Sequence, residues 1–239
     1  MFDEKLETST IWNFPKRGNW STHSSEFRGN WSPQIVRNLI LRYSKPGDLI
    51  LDPFLGSGTT LIESKLLGRR GIGIDINRDF VFKSFQRIVK GNGDVKKQEV
   101  ILADSRHLNF IKNDVVDLAL LHPPYLDTIQ YSSVAGDLSI LKTLDVFCSE
   151  LGLVLNCVHS LLRAGGTLAL MIGDTRKNKR IVPLGFRVYD LCLRSKFIPR
   201  EIAIKIQHNC NSTEKWIPIA RRMNFLILKH EYIFVFDKL

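Results

Sequence analysis

Four times between residues 48 and 125 a short apolar run stops at a polar corner. Asp48–Leu51 runs into Asp52-Pro53-Phe54, Gly71–Ile74 into Asp75, Glu99–Leu102 into Asp104, and Val115–Leu121 into His122-Pro123-Pro124-Tyr125. The stretch that follows the first corner reads as a helix to about Leu67, closed by Gly68 in the way glycine commonly ends helices. Arg78–Lys90 reads as a second helix. Strands that alternate with helices dictate a mostly parallel sheet with both faces covered. In such sheets ligands bind outside the carboxyl ends of the strands, and all four polar corners fall there.

The alternation continues. Leu138–Leu162 is largely helical, Arg163–Gly166 a turn, and Thr167–Ile172 a strand ending at Gly173-Asp174. Leu184–Ser195 reads as a helix and Glu201–Ile206 as a strand. His208–Arg222 is polar and basic, and Phe225–Phe236 reads as one long bent strand or a hairpin. Residues 1–32 mix Trp12, Trp20 and Trp31 with Gly, Ser and Asn, an irregular arm that packs on a domain rather than forming one. Ser32-Pro33 opens a helix, with a capping Ser and Pro at the first helical position. Ile35, Val36, Leu39 and Ile40 then follow at helical spacing. A single doubly wound α/β domain over 1–239 is expected.

Composition excludes some classes. Hydrophobic residues make up 44% of the chain, which argues against global disorder. By inspection no apolar run reaches membrane-spanning length, and the acidic, polar N-terminus lacks a secretion signal, so a cytoplasmic protein is expected. Cys148, Cys157, Cys192 and Cys210 show no CxxC or zinc-like spacing and read as free thiols, with no metal site. A formal charge of +10 suits a polyanionic partner.

Asp52-Pro53-Phe54-Leu55-Gly56-Ser57-Gly58-Thr59-Thr60 carries the most chemistry. Its glycines let the backbone approach a ligand closely, and the helix that follows presents its N-terminus. The loop has neither the dinucleotide nor the phosphate-loop pattern. Asp75 at the next strand end can accept from ribose hydroxyls, and Asp104 from an adenine amino group. Together they point to an adenosine-containing ligand.

These segments resemble a known family. Asp52–Thr60 is similar to the DPFxGSGTT loop of DNA amino-methyltransferases, and His122–Tyr125 to their [D/N/S]PPY loop. His230–Phe236 resembles the closing strand of cytosine-N4 members, and the Ser32-Pro33 helix their N-terminal cofactor segment. The resemblance implies a seven-stranded S-adenosylmethionine methyltransferase sheet with an antiparallel last strand. It implies that Phe54, Gly56, Ser57, Gly58 and Thr59 cradle the cofactor, that Asp52 anchors its amino group through the loop, and that Asp75 and Asp104 hold ribose and adenine. It implies that His122 and the Pro123 carbonyl, stiffened by Pro124, accept from the target amino group, while Tyr125 stacks on a flipped base. His122 stands where Asp, Asn or Ser is usual, and it can accept only while neutral.

No insertion is long enough for a separate recognition domain. Tyr131–Gly136 and the loops at 175–182, with Arg176, Lys177, Lys179 and Arg180, and at 208–224, with Trp216, are therefore the candidates for DNA contact. The resulting expectation is a DNA methyltransferase acting on cytosine N4, in a restriction-modification setting and with room for a homodimer or partner subunit. Adenine N6 in DNA, guanine N2 in RNA, and a non-catalytic nucleic-acid-binding module are the alternatives.

Overall fold

A computed structural model of the chain describes residues 6–27, 29–208 and 213–239, the last stretch with side chains from residue 216 onward. In chain order the elements are β1 (Ile11–Trp12), α1 (Pro33–Tyr43), β2 (Leu49–Asp52), α2 (Thr59–Leu66), β3 (Arg70–Asp75), α3 (Arg78–Lys90), β4 (Gln98–Leu102), β5 (Val116–Leu121), α4 (Leu144–Leu161), β6 (Leu162–Ile172), β7 (Thr175–Lys177), β8 (Arg180–Val182), α5 (Leu184–Arg194), β9 (Ile198–Ile206), α6 (Thr213–Met223) and β10 (His230–Asp237).

The main sheet runs β1-β9-β10-β6-β5-β2-β3-β4. Strands β2 to β6 pair in parallel, and β10 is antiparallel to both β6 and β9. The strand order turns back between β2 and β5, which opens a crevice at their carboxyl ends. The antiparallel last strand and the seven strands expected from the sequence are present. An eighth, β1, comes from the N-terminal arm and lies parallel to β9.

The two faces of the sheet use different residues of the same strands. Along β10, Phe234 and Phe236 pack with α4 and α5 against Phe147, Leu151 and Val188. Ile233 and Val235 face the other way, onto Ile35, Val36 and Leu39 of α1 and onto Trp12 and Trp31 of the arm. Each set supplies several fully buried side chains, at about 1.5–3 kcal/mol apiece.

Several local expectations need correction. Arg163–Gly166 is not a free turn but the start of β6, which bends where Gly165 takes φ +70° and donates to the Lys238 carbonyl. Phe225–Phe236 is not strand throughout, for β10 begins only at His230. The 208–224 segment is largely α6, although residues 209–212, Cys210 among them, lie outside the described residues. Ser32 precedes α1 as expected, but its hydroxyl bonds the Gln34 side chain instead of capping the helix.

Helix α4, at 18 residues and mean hydropathy 1.3, does reach the length and apolarity of a membrane span, contrary to the reading of the sequence. Phe147, Leu151, Val154, Leu155 and Val158 line its inner side and are fully buried against the sheet. That face is already covered by protein, as in a core helix.

Candidate functional site

The glycine-rich loop leaves β2 at Asp52 and enters α2 at Thr59. Gly56 and Gly58 take φ +50° and +83°, and a Cβ on Gly58 would lie 3.0 Å from Ser84 Cβ on α3. Both the backbone sign and the space therefore demand glycine at position 58. Asp75, at the end of β3, fixes the loop from the side: one carboxylate oxygen accepts from Gly56 N at 2.9 Å and the other from Asn77 N at 2.9 Å.

Beside the loop lies a cavity walled by Phe54, Gly56, Ser57, Asp75, Asp104 and Pro124. Of the residues expected to hold a cofactor, Phe54, Gly56, Ser57, Asp75 and Asp104 are on this wall. Asp52, Gly58 and Thr59 are not; they lie beneath the loop and shape it. Further wall residues were given no cofactor role in the sequence reading. Phe27, Asn30 and Trp31 come from the arm, Ile76, Asn77 and Phe80 from the start of α3, and Tyr131 from the loop after Tyr125. Phe80 meets Phe27 edge-on at 5.2 Å and Tyr131 at 6.0 Å, giving the cavity an aromatic side.

The carboxylates differ in state. Asp52 is fully buried; one oxygen accepts from Phe54 N at 2.9 Å, and the carboxyl also interacts with the Thr60 side chain. Burial pushes its pKa up to about 7. Burial likewise raises Asp75 to about 6. Asp104 is also pushed up by burial, but its bonds to Arg106, which also binds Glu150, outweigh that and lower it. Two carboxylates held above their ordinary range and an aromatic wall suit a ligand with donors, positive charge and a flat ring. S-adenosylmethionine has all three.

The His122–Tyr125 loop follows β5 and separates this cavity from a second, wider cleft. His122, Asn30, Trp31, Gly29 and Tyr131 line both; Pro124 lines the first and Pro123 and Tyr125 the second. The two prolines thus face opposite chambers. Trp31 lies over His122 with ring centroids 5.2 Å apart. His122 Nε2 is 2.9 Å from the Tyr125 hydroxyl, which donates to Glu231 Oε1 at 2.7 Å. Burial lowers the His122 pKa to about 4, so the ring is neutral near pH 7. Burial, with the Glu231 charge, raises that of Tyr125.

The arm supplies much of the second cleft. Phe14, Pro15, Arg17, Ser25 and residues 29–32 face Lys205, Gln207 and His208 across it. The arm is held by the fully buried Glu63 of α2, which accepts from Trp20 Nε1 at 2.7 Å and Arg37 at 2.9 Å and lies 2.7 Å from His23 Nε2. Sequence reading assigned the arm no site residue. The available signal was the run of aromatic and amide side chains before α1.

The expected DNA-contacting side chains lie outside this cleft. Thr175–Lys177 and Arg180–Val182 form a two-stranded hairpin whose turn residues Asn178 and Lys179 take positive φ. Arg176 is spent internally, donating to the carbonyls of Lys179 and Leu226 and lying over Phe225 at 5.0 Å. Lys177 pairs with Asp127 at 3.7 Å, while Lys179 and Arg180 are exposed. Trp216 on α6 is 48% exposed and meets Phe225 edge-on. No group of metal-ligating side chains occurs among the described residues.

A DNA methylase family model of the N6/N4 type matches residues 2–86, the arm through α3. Similar curated proteins include a Type II methyltransferase of Lactococcus lactis subsp. cremoris, 34% identical over 94 residues, which are 38% of this chain and 34% of that protein. A DNA adenine methyltransferase of Escherichia coli is 35% identical over 88 residues, 36% of this chain and 30% of that one. A tRNA (guanine(10)-N2)-dimethyltransferase of Methanothermobacter thermautotrophicus is 36% identical over 106 residues, 41% of this chain and 29% of that one. The chain thus spans about a third of the length of these relatives. Among solved structures, a SAM-dependent methyltransferase of Methanosarcina mazei shares the fold, with a TM-score of 0.56 at 16% identity over 84% of this chain and 96% of that one. The family model spans Asp52–Thr60 and Asp75, so over its first third the chain is similar to the DNA amino-methyltransferases that its motifs resemble.

Proposed function

We propose that the chain binds S-adenosylmethionine in the cavity beside Phe54–Ser57 and transfers its methyl group to the exocyclic amino group of a base in DNA, with cytosine N4 as the target. One observation carries this reading: two chambers, one with the loop and its acids, the other wide and partly basic, meet at His122, with Pro124 on one side and Pro123 and Tyr125 on the other. When bound, S-adenosylmethionine supplies a methyl group on a sulfonium, open to in-line displacement. The chain's own task is then positioning, a large part of what enzymes contribute to such transfers.

An exocyclic amino nitrogen is a weak nucleophile because its lone pair is drawn into the ring. A neutral His122 and the Pro123 carbonyl are acceptors for its two hydrogens, favouring the geometry that frees that pair. Tyr125 and Tyr131 offer aromatic surface to a base taken out of its stack, and Arg17, Lys205 and His208 are cations or potential donors near its phosphate. In the first chamber Asp75 serves ribose hydroxyls, while Asp104, Ile76 and Phe80 serve an adenine.

The cytosine preference rests on the likeness of His230–Phe236 to the closing strand of cytosine-N4 members. The similarity to the adenine enzyme of Escherichia coli supports adenine N6 as the second reading. Incubating the protein with labelled S-adenosylmethionine and either duplex DNA or transfer RNA, then digesting to nucleosides for mass analysis, decides. N4-methylated deoxycytidine is the expected product. N6-methylated deoxyadenosine would establish the second reading, and label only in guanosine would refute both.

A further inference from the structure

Glu231 is out of keeping with its strand. In His230-Glu231-Tyr232-Ile233-Phe234-Val235-Phe236, positions 231, 233 and 235 share one face, and Ile233 and Val235 are buried in the apolar cluster beneath α1. Glu231 is 6% exposed on that same face. A carboxylate in such a place survives only if it is paired and hydrogen-bonded. Strand register provides the pairing: Glu231 stands directly opposite Lys205 across β9 and β10, and Lys205 Nζ donates to Glu231 Oε2 at 2.6 Å. The other oxygen accepts from the Tyr125 hydroxyl at 2.7 Å. Burial alone would raise the carboxyl's pKa, but the Lys205 charge and the hydrogen bonds from Lys205 and Tyr125 lower it, so the group is ionised.

Space for this contact comes from the end of β6. A Cβ on Gly173 would come within 2.9 Å of Tyr125 Cε2 and 3.2 Å of Glu231 Cγ. Three separate segments therefore converge on the Tyr125 hydroxyl: the His122–Tyr125 loop, the Gly173 corner and β10.

Proton bookkeeping then fixes the histidine. An ionised carboxylate can only accept, so the single Tyr125 hydroxyl proton is committed to Glu231. His122 Nε2, 2.9 Å from the same oxygen, must therefore donate to it. In a neutral ring the proton on Nε2 leaves Nδ1 with a bare lone pair. Resting on the functional reading above, we propose that Glu231, held by Lys205, is a positioning residue that fixes His122 through Tyr125 as the Nε2–H tautomer, making Nδ1 the acceptor for the target amino group. This chain of bonds lets histidine stand where the family uses Asp, Asn or Ser, side chains that have an acceptor without such help.

The test reads the tautomer directly. Long-range nitrogen–proton correlation spectra of protein labelled in histidine, with His122 identified by its loss in His122→Asn, should show a neutral ring protonated at Nε2 in the wild type. In Glu231→Gln, the amide oxygen turns to Lys205 and the amide nitrogen donates to the tyrosine oxygen. The tyrosine proton is then released toward Nε2, and the ring should switch to Nδ1–H. Turnover should fall by about tenfold or more, with KM and cofactor affinity within about twofold of wild type. A wild-type ring protonated at Nδ1 would overturn the proposal even if the variant failed to fold. So would a Glu231→Gln variant with wild-type turnover. A protein that shows the tautomer and its switch but methylates no nucleic acid would sustain the relay and refute the functional reading instead.

Discussion

Replacing Asp52 by Asn separates stability from ligand binding. The side chain is fully buried at the end of β2, accepts from Phe54 N, interacts with the Thr60 side chain, and holds its proton up to about pH 7 rather than the ordinary 3.8. A carboxyl with a raised pKa contributes stability that is fully present below the unfolded value, near 4, and is lost as pH rises through the folded value, near 7. The difference between the two values amounts to about 4 kcal/mol, at about 1.4 kcal/mol per pH unit. Asn keeps the shape, stays neutral and has an amide group that can serve the Thr60 side chain in place of the carboxyl.

The variant should therefore match wild type near pH 4, gain stability between pH 4 and 7, and stay about 2–4 kcal/mol more stable above pH 8. In a chain of this size that raises the melting temperature by roughly 5–15 °C. Affinity for S-adenosylmethionine should move the other way, weakening by about 1–3 kcal/mol, because a negative group beneath the loop is lost. Thermal melts from pH 4 to 9 and titration calorimetry at pH 8 measure both. A melting difference that stays flat with pH would refute the claim that the carboxyl is ionised at a cost. Unchanged affinity would remove Asp52 from the ligand's surroundings.

Three further outcomes follow from the site. Tyr125→Ala should lower methyl transfer by about 1–3 kcal/mol in transition-state stabilisation while leaving cofactor affinity intact, since the ring faces the wide cleft rather than the cofactor cavity; lost cofactor binding with normal turnover would reverse the assignment. His122, with its pKa depressed to about 4 by burial, should stay competent down to about pH 5, so an acid limb in kcat near pH 6.5 must belong to another group. The same depression means that its contribution to stability is present above about pH 6.5 and is lost as pH falls toward 4. Lys179→Ala with Arg180→Ala, two of the hairpin's exposed cations, should flatten the salt dependence of DNA binding by up to about 0.9 in slope for each phosphate no longer neutralised, without changing the methylated sequence; an unchanged slope would place the phosphate-binding cations on the arm side of the cleft, where Arg17 lies.

What the sequence disclosed and what it withheld divide along a physical line. The strand corners at Asp52, Asp75, Asp104 and His122 were legible because each ends a local apolar run, and local runs are written in neighbouring residues. The part of the first cavity's wall contributed by Phe27, Asn30 and Trp31 was not, because nothing within the arm shows that Glu63, some forty residues later, gathers Trp20 and His23 beneath it. Arg176 shows the same limit: its charge was visible, but the Leu226 carbonyl and the Phe225 ring it meets come from about fifty residues away. Net charge suits a polyanion without telling which cations remain available to meet one.

Glu231 joins both sides of that line. Its anomaly was present in the strand's alternation, a carboxylate in phase with Ile233 and Val235, and could have been read as a buried charge in need of partners. Which partners it finds depends on two registers that only the folded sheet sets, β9 bringing Lys205 and β6 bringing the gap at Gly173. The substitution that sets this chain apart from the usual motif, histidine for Asp, Asn or Ser, is therefore intelligible only with its distant complement. An Asp, Asn or Ser at position 122 has an oxygen acceptor in every rotamer; a histidine must be told which nitrogen to leave bare. If the relay is right, returning position 122 to Asn should make Glu231 dispensable: turnover of His122→Asn should change little when Glu231→Gln is added, whereas a penalty as large as in the histidine background would show that Glu231 acts on something other than the tautomer.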